Sequence, residues 1–161
     1  MANLALKVPP LVILLLACAL AVLVNNVVYA PLPGAASGLG KLFMAAGTFI
    51  CITAVIAFRQ HRTTVDPRKP EAASTLVTTG IFAFSRNPMY LGFMLFLAGW
   101  ILWLGNATSM PVLPLAILYL HYFQIMPEEK IIRRQFGQSY AEYCAKTGRW
   151  FTVKRAGGAG D

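Results

Sequence analysis

The sequence predicts an all-α integral membrane protein: four transmembrane helices, a cytoplasmic connection and a C-terminal amphipathic helix. Three observations predict this. The 161 residues are 57% apolar and only 12% charged, whereas soluble domains carry about 25% charged residues. The charges are unevenly placed: no Lys, Arg, Asp or Glu lies between Lys7 and Lys41, between Lys41 and Arg59, or between Arg86 and Glu128. Those gaps have room for spans of about 20 apolar residues, the length that crosses the hydrocarbon layer.

The first gap holds one span, near residues 9–29. A cleaved signal peptide would also begin with Lys7 and an apolar Leu11 to Leu23, but the apolar stretch runs too long, and Pro31 follows the one small residue suited to cleavage, Ala30. The second span, 39–58, needs Lys41 to snorkel to the interface. Pro31, Pro33, Gly34 and Gly38 separate these two. The last gap holds spans at 88–104 and 109–126, broken by Gly105, Asn106, Thr108, Ser109 and Pro111. An even count puts both ends on one side. Of the 14 Lys and Arg, only Lys41 falls opposite, so the positive-inside rule places both termini and the 59–87 connection in the cytoplasm, as for an inner or cytoplasmic membrane protein.

The net charge of +8 suits contact with anionic membrane lipids. The basic residues flank spans and form no separate basic domain, so no nucleic-acid partner is expected. Cys18, Cys51 and Cys144 show no metal-ligand or disulfide spacing, and with two histidines no metal is expected. We read residues 1–155 as a single transmembrane domain and 156–161, a Gly/Ala run ending in Asp161, as a disordered tail.

The spans are nearly free of ionisable groups, which argues against a transporter or proton relay. The polar residues gather where three segments reach the cytoplasmic boundary. In the connection, Ser74-Thr75-Leu76-Val77-Thr78-Thr79-Gly80-Ile81-Phe82 is β-prone, with Gly80 at a turn. The third span opens Ser85-Arg86-Asn87-Pro88-Met89-Tyr90-Leu91-Gly92. Pro88 suits a first helical turn that Ser85 or Asn87 can cap. Arg86 suits a headgroup phosphate or a ligand's carboxylate, and Tyr90 either an interfacial belt or a site. Gly92 and Gly99 suit close helix packing. At the end of the fourth span, His121, Gln124 and Glu128 share a face if the helix continues through Pro127. Glu128-Glu129 either favours the start of a new helix or meets a cation. Beyond Pro127, Ile132, Phe136, Tyr140 and Tyr143 fall on one face of a helix that lies on the membrane or caps the cytoplasmic side.

Two of these segments resemble the isoprenylcysteine carboxyl methyltransferase family, with phospholipid methyltransferase relatives: Ser74 to Gly80 followed by Arg86 to Gly92, and Glu128-Glu129 followed by Phe136-Gly137-Gln138-Ser139-Tyr140-Ala141-Glu142-Tyr143. The resemblance covers residues 60–151. It implies an S-adenosylmethionine-dependent methyltransferase, releasing S-adenosylhomocysteine, whose transmembrane and C-terminal helices form a cofactor pocket. By motif match the cofactor contacts would be Ser74, Thr75, Leu76, Val77, Phe82, Asn87, Pro88, Met89, Tyr90 and Glu128. The acceptor would be lipophilic or a small carboxyl or thiol compound. Two positions depart from the family pattern. Asn87 stands where His is common, and Gln124 stands where an arginine meets the substrate. A neutral amide does not pair with a prenylcysteine carboxylate as arginine does. The acceptor class therefore stays open, with Gln124 and His121 as candidate acceptor contacts. A phospholipid N-methyltransferase and a non-catalytic protein keeping the fold are the alternatives.

Overall fold

The computed structural model describes residues 6–28, 30–61 and 75–152. Ser74, the rest of 62–74 and the 156–161 tail lie outside them. Every regular element among the described residues is helical. Three helical runs are long and apolar enough to cross a membrane: Pro10–Val27 (α1), Ala35–Gln60 (α2) and the run Ala107–Lys146. The chain is an integral membrane protein.

Each run follows from its sequence. Pro10 occupies the first turn of α1, where its missing N–H costs nothing. Ile13, Leu14, Ala17 and Ala21 form the buried stripe of α1, while Leu15, Leu16 and Leu23 stay exposed as lipid-facing residues. On α2 the buried positions are Gly40, Gly47 and Ala54, spaced seven apart. This stripe of small residues meets the helix Pro88–Leu104 (α3). A Cβ on Gly40 would lie 2.6 Å from the Gly99 carbonyl oxygen, and one on Gly47 2.5 Å from that of Gly92. The two backbones therefore touch in antiparallel register, as small residues allow in lipid. This agrees with the packing role expected of Gly92 and Gly99. The bounds of α3 match the expected third span, but its 17 residues rise about 25 Å, short of the ~30 Å hydrocarbon layer.

Gly105 (φ 70°) ends α3 in the left-handed conformation that suits glycine. Asn106 is fully buried and stitches the loops at this end. Its Oδ1 accepts from the Ala30 amide at 2.9 Å, and its Nδ2 donates to the Val28 carbonyl at 2.7 Å. A short 3₁₀ turn, Ala107–Ser109, leads into Val112–Leu120 (α4). The helix then widens into a π turn, His121–Ile125, and continues as Met126–Lys146 (α5). The π turn accommodates Pro127. That proline cannot donate to the Phe123 carbonyl four residues back, and this carbonyl accepts from the Leu6 amide at 3.0 Å instead. The helix is therefore continuous through Pro127, with a change of pitch.

Two expectations need correction. Neither Ser85 nor Asn87 caps α3. Asn87 occupies the cap position without a side-chain cap bond. Its Nδ2 donates to the Arg149 carbonyl at 3.2 Å, and the Ser85 hydroxyl accepts from the Asn87 amide at 3.1 Å. A remote segment has outcompeted the local cap. Nor is α5 one regular helix: Gly137 (φ 51°, ψ −120°) kinks it. Ile132 and Phe136 precede the kink, and Tyr140 and Tyr143 follow it.

The core has two parts. One joins α1, α3 and α4 through Leu14, Met94, Leu97, Ile101, Ala116 and Leu120. The other gathers Ala54, Val77, Phe82, Tyr140 and Tyr143, with Phe58, Met89, Ile132 and Phe136 against them. This second cluster lies at the end of the bundle where α1 begins, α2 ends, α3 begins and α5 leaves.

Candidate active site

The second cluster surrounds a cavity of about 240 Å³. Its first wall is the described end of the 59–87 connection, residues 75–83. Residues 76–78 carry no regular structure, and no strand forms from the β-prone stretch. Gly80 adopts φ 61° and opens the 3₁₀ turn Gly80–Ala83, the turn its position predicts. That turn buries Phe82 against Phe58, with ring centroids 4.8 Å apart. The Tyr143 hydroxyl fastens it by donating to the Phe82 carbonyl at 2.6 Å. The second wall is the start of α3, and the third is the first turn of α5.

Nine of the ten cofactor contacts implied by the resemblance line this cavity: Thr75, Leu76, Val77, Phe82, Asn87, Pro88, Met89, Tyr90 and Glu128. The tenth, Ser74, lies outside the described residues. Gln124 and His121 do not line it. Gln124 is fully buried, and its Nε2 donates to the Val8 carbonyl at 2.9 Å while its Oε1 has no hydrogen-bond partner among the described residues. His121 packs edge-on against Tyr122.

The Tyr90 hydroxyl donates to Glu128 Oε2 at 2.8 Å. Two residues 38 apart in sequence, on different helices, therefore meet at the cavity. Glu128 lies beyond the apolar part of its helical run, which ends at Met126. Burial pushes its carboxyl up to about 7; the hydrogen bond from Tyr90 opposes this, and the charge of Glu129 adds to it. Glu128 has no ion-pair partner among the described residues. Glu129 is different. The Arg149 guanidinium grips its carboxylate at 2.6 and 3.1 Å, and Arg86 Nη2 adds a contact at 3.1 Å. Burial alone would raise the Glu129 pKa, but the Arg149 hydrogen bonds and both arginine charges outweigh it and hold the carboxyl below its usual range. Arg86 also donates through Nη1 to the Thr147 carbonyl at 3.1 Å, while its buried Nε has no partner among the described residues. Arg86 thus has an internal partner in Glu129.

The cavity is also lined by residues that the motifs did not single out: Pro9, Pro10 and Leu11 from the start of α1, Phe58 from the end of α2, and Phe93. The folding of α1 and α2 back to this end brings in all of these but Phe93, which lies on α3 about one turn beyond Tyr90. Ile132, Phe136, Tyr140 and Tyr143 line it too. Their apolar face, read from spacing, turns inward over the cavity.

A family model described as phospholipid methyltransferase matches residues 36–139. The chain belongs to the phospholipid methyltransferase family. That match covers α2, α3, α4 and most of α5, and so the cavity lining apart from Pro9, Pro10, Leu11, Tyr140 and Tyr143. An uncharacterized protein of Haemophilus influenzae is 40% identical over 62 residues, 38% of this chain and 98% of that protein. The protein-S-isoprenylcysteine O-methyltransferase of Schizosaccharomyces pombe is 31% identical over 65% of this chain and 44% of its own length. That of Saccharomyces cerevisiae is 30% identical over 68% of this chain and 46% of its own. The chain thus spans less than half the length of these two named relatives. The resemblance read from the motifs, to isoprenylcysteine methyltransferases with phospholipid methyltransferase relatives, agrees with both comparisons. No solved structure matches the chain.

Proposed function

We propose that this family member is an S-adenosylmethionine-dependent methyltransferase of the isoprenylcysteine carboxyl methyltransferase type. It transfers a methyl group to a lipophilic or small carboxyl or thiol acceptor at the cytoplasmic membrane boundary. The observation that carries this reading is the meeting of Tyr90 and Glu128 at 2.8 Å on a cavity whose other walls are the Thr75–Val77 segment, Phe82 and the start of α3.

The donor set fits the cofactor. Glu128, a shielded carboxyl with no ion-pair partner among the described residues, suits an α-amino group. Leu76, Val77, Phe82 and Met89 offer an apolar slot for an adenine. Asn87 keeps a second amide N–H beyond the one it gives Arg149, and Arg86 keeps its Nε–H; both can serve a carboxylate. When bound, S-adenosylmethionine supplies a methyl group on a sulfonium sulfur, open to in-line attack. The chain's own residues align the partners and exclude water. The largely apolar wall favours the dispersal of charge that accompanies transfer between a cation and an anionic acceptor. A carboxylate or thiolate acceptor requires no strong general base.

In this reading four helical segments cross the bilayer. Helix α3, shorter than the other three segments, packs along one side against α2, and local thinning of the bilayer accommodates its length. The cavity end, with the basic flanks, faces the cytoplasm together with both chain ends.

Isothermal titration of the detergent-solubilised protein with S-adenosylhomocysteine tests the reading. Binding is expected, and its absence in well-folded protein would overturn the proposal. The description of the matching family supports a second reading, N-methylation of a phospholipid amine. Mass spectrometry of lipids from membranes expressing the chain separates the two. Methylated aminophospholipid supports the second, and methyl esters or thioethers the first.

A further inference from the structure

Residues 147–152, after α5, do not line the cavity, yet one of them holds two walls. The Arg149 carbonyl accepts from the Ser85 hydroxyl at 3.3 Å and from Asn87 Nδ2 at 3.2 Å. Its guanidinium grips both oxygens of Glu129, the residue next to Glu128. The flanking backbone is laced to the same wall. The Arg86 amide donates to the Gly148 carbonyl at 3.0 Å, and the Thr152 amide donates to the Phe84 carbonyl at 2.8 Å. The donor-bearing start of α3 and the carboxylate-bearing turn of α5 are far apart in sequence, and Arg149 binds to each. A planar fork with several N–H groups fixes a carboxylate's direction, which a point charge does not. Because Glu128 and Glu129 share one helical turn, fixing Glu129 fixes the direction in which Glu128 approaches Tyr90.

We propose that Arg149 is a positioning residue of the methyl-donor site, setting the spacing between the Asn87–Tyr90 turn and Glu128. This rests on the function proposed above. The test measures S-adenosylhomocysteine affinity in the full-length protein for R149M, R149K, E129Q and R149M/E129Q, alongside unfolding temperature. R149M is expected to bind about tenfold more weakly, the scale of losses at supporting positions. R149K, which restores the charge without the fork, is expected between R149M and wild type. The double variant is expected to bind no more weakly than the weaker single variant, since the two residues act as one unit. A general loss of stability would instead make the two losses multiply. Affinity of R149M within twofold of wild type, or multiplying losses, would overturn the assignment while leaving the function intact. If R149M does not fold, R149K decides: unchanged affinity overturns the proposal. No binding by wild type would overturn both readings.

Discussion

At the scale of single residues, the contact between the Tyr90 hydroxyl and Glu128 is the most informative bond in the molecule. E128Q removes the charge offered to a ligand's ammonium, and Y90F removes the donor that orients it. Each is expected to weaken S-adenosylhomocysteine binding by about 1–3 kcal/mol, the range for a charged or buried hydrogen bond; titration calorimetry measures it. The same carboxyl makes the affinity depend on pH. Its pKa in the ligand-free protein is raised to about 7 by burial, so it is mostly protonated at pH 6 and mostly ionised at pH 8. The ionised form binds the cation. Affinity should therefore rise by about tenfold from pH 6 to 8 and then level off, and E128Q should flatten the profile. The linkage to folding has the opposite sign. An acid whose folded pKa is raised stabilises the ligand-free fold below its unfolded value, near 4.5, and loses that contribution as pH climbs through about 7. Residue types at the motifs made Tyr90 and Glu128 legible in the sequence. Arg149 was not, because nothing local to it announces a partner 20 residues earlier and two more over 60 residues earlier.

At the scale of elements, the close seam between α2 and α3 carries the fold. At its two closest points Gly40 and Gly47 face Gly99 and Gly92 backbone to backbone. G47L would drive its side chain into the Gly92 carbonyl and the Phe96 amide, which cannot move aside as a flexible side chain would. It is expected to lower stability by at least about 1–3 kcal/mol, the usual range for overpacking, read as a lower unfolding temperature in detergent. Gly38 lies on the same helix, and a Cβ there would meet nothing within 4 Å, so G38L should stay within about 0.5 kcal/mol of wild type. The pattern of small residues shows that helices pack closely here, but it does not say which glycine meets which. The kink at Gly137 was equally hidden. Spacings of four, four and three describe one face of a regular helix, and a single left-handed residue breaks that geometry while still delivering all four apolar side chains to the cavity.

At the scale of the whole molecule, the four helical segments run alternately, so that Pro10, Phe58, Pro88 and Glu128 gather at one end and Ala30 and Asn106 at the other. The proposed orientation predicts where single cysteines will react in a background lacking Cys18, Cys51 and Cys144. A cysteine at Gly34 should be labelled from outside intact cells by a membrane-impermeant maleimide, and one at Gln138 only after permeabilisation. The reverse pattern would invert the topology. The sequence by itself determined that the chain enters the membrane, where its apolar runs lie, and which short motifs hold the polar chemistry. These follow from composition, charge gaps and residue type, properties that act locally along the chain. Only the tertiary structure decided that α1 and α2 complete the cavity, that Asn87 and Ser85 turn from capping to Arg149, and that, among the described residues, Glu128 pairs with no cation while Glu129 pairs with two. Those outcomes depend on which distant groups compete for the same hydrogen bonds, and that competition exists only once the helices have packed.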